Sequence, residues 1–188
     1  MPTTGEFTIC TYHDSVNKRF GAGPNDKSSS GWLTGHHLIP DHCFFKVGSL
    51  RGMGNLGDFL IDDLAGKPYS EMTAPVILLS SKQTGAPTHN HRKVHAIFDP
   101  KENDLAGSDY TWTYGQAVAL CLESLEAFGA GVKSEAAIAL KRYFETHLGL
   151  TNESELRAGT NGKSMQSALE NTRKSTRVRD TSHRYNPY

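Results

Sequence analysis

The sequence predicts an α+β fold in which a pair of short strands is followed by helices. Three observations carry that expectation: GHHLIP at 35–40 reads as an extended segment closed by a proline, APVILLS at 74–80 is an apolar β-rich run, and HRKVH at 91–95 opens the first of several stretches with helical period. Strands that precede helices, rather than alternate with them, segregate into an α+β arrangement.

The elements follow in order. Residues 1–30 end in GAGPNDKSSS, a glycine, proline and serine cluster that marks a loop-rich N-terminal segment. Gly35 allows a turn or a close approach, and Pro40 ends the extended segment. Residues 45–73 are glycine-rich, with FLIDDL as the one short apolar stretch, and read as a long insertion loop holding about one helical turn. APVILLS fits a buried strand, because a short apolar run bounded by the turn signal TGAP leaves no polar face for solvent. A helix of about three turns follows, capped by Thr88 and stopped by Pro100. TYGQ at 113–116 has the spacing of a capping box, and Ala117, Leu120, Cys121, Leu125 and Phe128 continue it as an apolar face, with Cys121 as a core residue. A second amphipathic helix is expected over 134–148, carrying Ile138, Leu140, Tyr143 and Phe144. TNESE at 151–155 reads as the cap of a third, interrupted at Asn161-Gly162. Beyond residue 171 the chain is polar, with Arg173, Lys174, Arg177, Arg179 and Arg184. The expected organisation is a loop-rich segment at 1–30, a main domain at 31–150, and a C-terminal helix and basic tail at 151–188.

Composition excludes several function classes. The 188 residues hold 20 basic and 20 acidic side chains, so there is no bulk positive charge of the kind that marks a nonspecific polyanion binder. No apolar run approaches the roughly 20 residues of a membrane-spanning helix. The start, MPTTGEFTICTYHDS, lacks the basic and apolar regions of a secretory signal, so any export would use a route without one. Cys10, Cys43 and Cys121 are odd in number and widely spaced, which argues against a disulfide framework or a cysteine zinc knuckle. Six of the nine histidines fall within 36–42 and 89–95.

That clustering points to a metal. His91 and His95 lie four apart, so on a helix both imidazoles occupy one face and can reach a single ion. A further ligand has to come from elsewhere, and the His36–His37 pair supplies it. On an extended segment adjacent side chains point to opposite sides, so one of the pair can bind the ion while the other faces a water molecule. Phosphodiester cleavage uses such a set: a divalent ion neutralises the phosphate, and a neutral imidazole takes a proton from the attacking water near neutral pH.

With GHHLIP, APVILL and HRKVH in this order, the stretch from about Thr34 to Asp99 resembles the GHH-type toxin nucleases of the HNH/endonuclease VII superfamily. The colicin DNases share the HHxxP and H-x3-H arrangement. The resemblance implies a ββα-metal core in the 31–150 domain, with His36, His91 and His95 as metal ligands and His37 as general base. It implies a divalent metal cofactor (magnesium, zinc, nickel or manganese), a DNA substrate, and a cognate immunity protein as partner. It also implies an antibacterial effector of type VI secretion, carried by a secretion-apparatus protein, without a signal peptide, into the cytoplasm of a target bacterial cell. The superfamily often places an asparagine near the second strand to orient the base. Here the strand opens with Thr73-Ala74-Pro75, so the orienting residue stays open. The letters His89-Asn90-His91 spell the superfamily name by coincidence and give Asn90 no role.

Two alternatives share these residues. One is a noncatalytic zinc module in which His36, His91, His95 and another histidine, or a cysteine such as Cys43, close a tetrahedral site. The other is an RNase built on the same core. His42 and His89 read as solvent-facing or phosphate-touching residues, and Arg92 and Lys93 as solvated or backbone-contacting ones.

Overall fold

The apolar run at 74–80 becomes β3, Pro75–Ser80, the middle strand of a three-stranded antiparallel sheet. Its first five residues are buried, which is why the run carries no alternation. Proline is tolerated as its first residue because no ladder bond needs that N–H. Strand β2, Leu33–His37, pairs on one side with His36 opposite Ile77 and His37 opposite Val76. Strand β1, Ile9–Thr11, pairs on the other, with Ile9 opposite Ile77. The computed structural model describes residues 5–16, 33–45, 60–81, 89–106 and 110–158. Thr88, Asn161-Gly162, the basic residues from Arg173 to Arg184, and most of the expected insertion loop lie outside them. Within 60–73 the chain makes two short 3-10 turns rather than one.

The first correction concerns the N-terminus. Residues 5–16 are not loop: after β1 the chain turns directly into α1, Tyr12–Val16, with Thr11 Oγ1 accepting from the Asp14 amide at 3.1 Å. Three residues are too few to show periodicity, and their order comes from pairing with β3. Helix α1 crosses β2 so closely that a Cβ on Gly35 would fall 2.4 Å from Ser15 Oγ. Glycine at 35 is therefore required by packing, as the sequence suggested.

Helix α2 spans Asn90–Leu105 and buries Val94, Phe98 and Glu102, spaced four apart, on one face. It runs through Pro100, where a stop was expected. A proline inside a helix forfeits one bond and crowds the carbonyl four residues back, at about 3 kcal/mol. Continuation brings Glu102 into hydrogen bonds with His42 and Cys43, and bonds to a charged group contribute about 1.5–3 kcal/mol each. Asn103 Nδ2 also donates to the Asp99 carbonyl at 2.7 Å.

Strand β4, Thr111–Thr113, leads into α3, Tyr114–Ser124, through the expected capping box: Thr113 Oγ1 accepts from the Gln116 amide, and Gln116 Oε1 accepts from the Thr113 amide. Ala117, Leu120, Cys121 and Leu125 are buried as read from the sequence. Helix α4, Ala130–Leu140, continues into a π turn at Lys141–His147 that sets Phe144 flat on Phe44, with ring centres 4.8 Å apart. The buried positions are Ala136 and Leu140, so Ile138, expected in the core, is 64% exposed on the other side.

The third helix expected at 151–155 is a strand. A tight turn joins Thr151 and Ser154, after which β5, Glu155–Arg157, pairs antiparallel with β4. Leu156 is fully buried, and Trp112 Nε1 donates to the Arg157 carbonyl at 3.1 Å. The local capping signal is overridden by this long-range pairing. One core therefore runs from Leu38 to Ala158, with Phe7 and Ile9 packed on it. Among the described residues no helix is long and apolar enough to cross a membrane.

Candidate metal centre

The site forms where β2 meets the N-terminal half of α2. His36 comes from the strand; His91 and His95 come from successive turns of the helix. His36 is buried, and the two helix histidines are half-buried. The ring centres of His36 and His91 are 5.1 Å apart, those of His36 and His95 4.8 Å, and those of His91 and His95 4.7 Å, with the rings close to perpendicular for His36. One nitrogen from each lies within 4.8 Å of the others. The structure thus brings together all three residues that sequence reasoning put forward as ligands, and they can hold a metal ion.

The start of α2 is braced on three sides. His89 serves as its cap, its Nδ1 accepting from the Arg92 amide at 3.2 Å, a role that sequence reasoning did not give it. The Asn90 amide donates to Ser80 Oγ at 3.1 Å, at the end of β3. Glu6 Oε1 accepts from the Ser80 amide at 2.6 Å and from Asn90 Nδ2 at 2.9 Å. The histidines of α2 are in this way registered against the strand that carries their partner.

The donor chemistry fits a transition ion. Burial, and then the neighbouring imidazoles of His95, His91 and His37, hold His36 well below the usual histidine range. Burial with His95 and His89 pushes His91 down to about 4. Both are accordingly neutral near pH 7, which is the form that ligates. His95 Nδ1 lies 3.0 Å from Asp99 Oδ1; with that nitrogen as donor, its Nε2 lone pair is left for an ion. A carboxylate behind a ligating imidazole is a common way of fixing tautomer and ring orientation. Bonds of about 2.0–2.1 Å to one ion would require the three nitrogens to draw closer than 4.8 Å.

His37 sits next to the triad on β2, half-buried, with its ring tilted 34° against Tyr12 at a centre separation of 4.6 Å. Tyr12 is a contact that sequence reasoning missed. Its only signal would have been the TYHD stretch, which has no visible link to residue 37 until β1 is paired. Cys43 and His42 do not join the triad. They converge instead on Glu102, forming a separate group whose donor atoms also lie within 4.8 Å of one another. Arg92 and Lys93 are exposed on α2, and Lys93 Nζ donates to Asn90 Oδ1 at 3.0 Å. Comparison with known proteins returns no matching family model, no matching curated protein and no matching solved structure.

Proposed function

We propose that this protein is a metal-dependent endonuclease that hydrolyses phosphodiester bonds of DNA, with His36, His91 and His95 holding the ion and His37 acting as general base. The observation that carries the reading is the convergence of His36 with His91 and His95 while the adjacent His37 stays apart from the group. The order of β2, β3 and α2 around that group is the order of a ββα-metal core, and the sequence resemblance over the same residues supports the assignment.

A bound divalent ion would supply charge neutralisation at the scissile phosphate and at the leaving oxygen. The chain's own groups do the rest. Asp99 orients His95, and burial keeps His36 neutral. His37 takes the proton from the attacking water at an imidazole nitrogen, while the Tyr12 ring limits the orientations its side chain can take. We further read the protein as an antibacterial effector neutralised by a cognate immunity protein, which rests on the sequence resemblance.

The zinc-module alternative needs a fourth protein ligand for the triad, another histidine or a cysteine; Cys43 lies with Glu102 instead, and His89, whose ring centre is 6.2 Å from that of His91, uses its Nδ1 to cap α2. Incubation of purified protein with plasmid DNA and with RNA, with and without chelator, tests the reading. DNA cleavage that chelator abolishes and added metal restores is expected. Chelator-sensitive cleavage of RNA alone would move the substrate to RNA on the same site, and no cleavage of either would overturn the nuclease assignment. Expression without inhibitor should stop bacterial growth and degrade chromosomal DNA, whereas His37→Ala should grow like empty vector at matched soluble expression.

A further inference from the structure

The turn after β2 and the far half of α2 place a second donor set on the same helix. His42 Nε2 lies 2.8 Å from Glu102 Oε1, and Cys43 Sγ lies 3.6 Å from the same oxygen. Positions 91, 95 and 102 follow helical spacing, so both donor groups use one face of α2. Glu102 lies seven residues beyond His95, about 10 Å along the axis. We propose that His42, Cys43 and Glu102 form a second metal site, one that takes a borderline-soft divalent transition ion such as zinc and ties the turn after β2 to α2.

The donor set selects the ion. Imidazole, thiolate and carboxylate together are zinc-type ligands, whereas magnesium and calcium take oxygen ligands and keep water. The burial points the same way. Cys43 is fully buried and Glu102 is 4% exposed, so two of the three donors are already stripped of solvent. The side chain of His42 is 28% exposed and gives the ion a way in, along with a position for a water ligand. Burial, and then the charge and hydrogen bond of Glu102, push the Cys43 thiol well above its usual range, and the charge of Arg157 offsets this only in part, so the ion itself must drive the loss of the thiol proton.

The chemistry balances without redox. The Cys43 S–H bond breaks as the S–metal bond forms, and the proton leaves to solvent. The His42 proton moves to Nδ1 so that Nε2 can ligate. Glu102 exchanges its two hydrogen bonds for a bond to the ion. Such a clamp would tie the Asp41–Phe44 turn to the part of α2 beyond Pro100, where the helix has lost a backbone bond. Asp41, at the start of that turn, already accepts from Tyr69 Oη at 2.5 Å.

The inference does not rest on the nuclease reading, and one titration separates them. Chelator-treated full-length protein, carrying His37→Ala to spare the host, is titrated with cobalt(II). Two equivalents should bind, with a thiolate-to-cobalt charge-transfer band in the near ultraviolet. Cys43→Ser should lose that band and one equivalent, Cys10→Ser should lose neither, and His36→Ala should lose one equivalent yet keep the band. Should Cys43→Ser fail to fold, His42→Ala, at a part-exposed position, should weaken the band-forming equivalent at least tenfold while circular dichroism stays native. Absence of the band in the parent, or its survival in Cys43→Ser, would overturn the second site and leave a purely hydrogen-bonded cluster. A His36→Ala protein that still binds two equivalents would count against the triad alone.

Discussion

The two ends of α2 carry donor groups of similar reach but different solvent access. At the N-terminal end His91 and His95 are half-buried and join one buried strand histidine; at the C-terminal end Glu102 is buried and joins a fully buried thiol. In the first group two of the three donors retain partial solvent access. In the second only His42 retains it, with its side chain 28% exposed. The two groups on one helix thus differ in solvent access as well as in ligand identity.

The sharpest way to break that comparison is to ask whether the open end alone supports catalysis. His37→Ala should lower DNA cleavage by about 10²–10⁴-fold, the usual contribution of a general base, with metal stoichiometry unchanged. His91→Ala should lose cleavage and the metal together. Equal metal loss in both variants, measured by equilibrium dialysis, would mean that His37 is a ligand and that the assigned roles are wrong.

At the closed end the expected effect is on stability. Glu102→Ala leaves the fully buried Cys43 and the part-exposed His42 without their shared acceptor, at about 1–3 kcal/mol. Urea unfolding of chelator-treated protein should show the unfolding free energy falling by that amount, with a lower midpoint, while the triad of the same variant, kept folded, should still bind metal. A variant as stable as wild type would show that the buried carboxylate does not brace the helix beyond Pro100.

These two groups also differ in how far they could be read from sequence. The triad was legible because His91 and His95 are one helical turn apart and the His36–His37 pair is contiguous, so local spacing carried most of the argument. The capping box at Thr113 and the buried strand β3 were legible for the same reason. The Glu102 group was not, because its hydrogen bonds join residues 60 and 59 positions apart, and a lone glutamate past a proline gives no periodic signal. Strand β1 and Tyr12 were hidden similarly: three residues have no period, and their order exists only through pairing with β3. Where a local cap and a tertiary pairing disagreed, at Thr151, the pairing won by burying Leu156.

Between the two ends, Asp99 tests how much of the triad's order comes from behind its ligands. Its hydrogen bond to His95 is part-exposed, with side chains 41% and 49% accessible, so its effect belongs at the low end of the range for such partners. Asp99→Asn should weaken metal binding about tenfold, with little change in fold. Unchanged affinity by competitive titration would mean that ring packing against His36 and His91 alone orients His95.

The smallest expected effect concerns the brace at the start of α2. Burial alone would raise the Glu6 pKa. The hydrogen bonds from Ser80 and Asn90, with the charge of Lys93 nearby, outweigh it and hold the group below its ordinary value of 4.5. The folded-state value is the lower one, so Glu6 stabilises the protein fully above the unfolded pKa of 4.5, and that contribution is lost as pH falls through the lowered folded value. A part-exposed carboxylate of this kind contributes under about 1.5 kcal/mol. Glu6→Gln should therefore be less stable than wild type at neutral pH, and the difference should close in acid. Amide exchange should report the loss at Lys93 to His95 rather than near Glu102, because Glu6 ties only the N-terminal turn of α2 to β3. An exchange profile that changes equally at both ends would show that α2 opens as one unit, and the division of the helix into an adjustable end and a clamped end would fall with it.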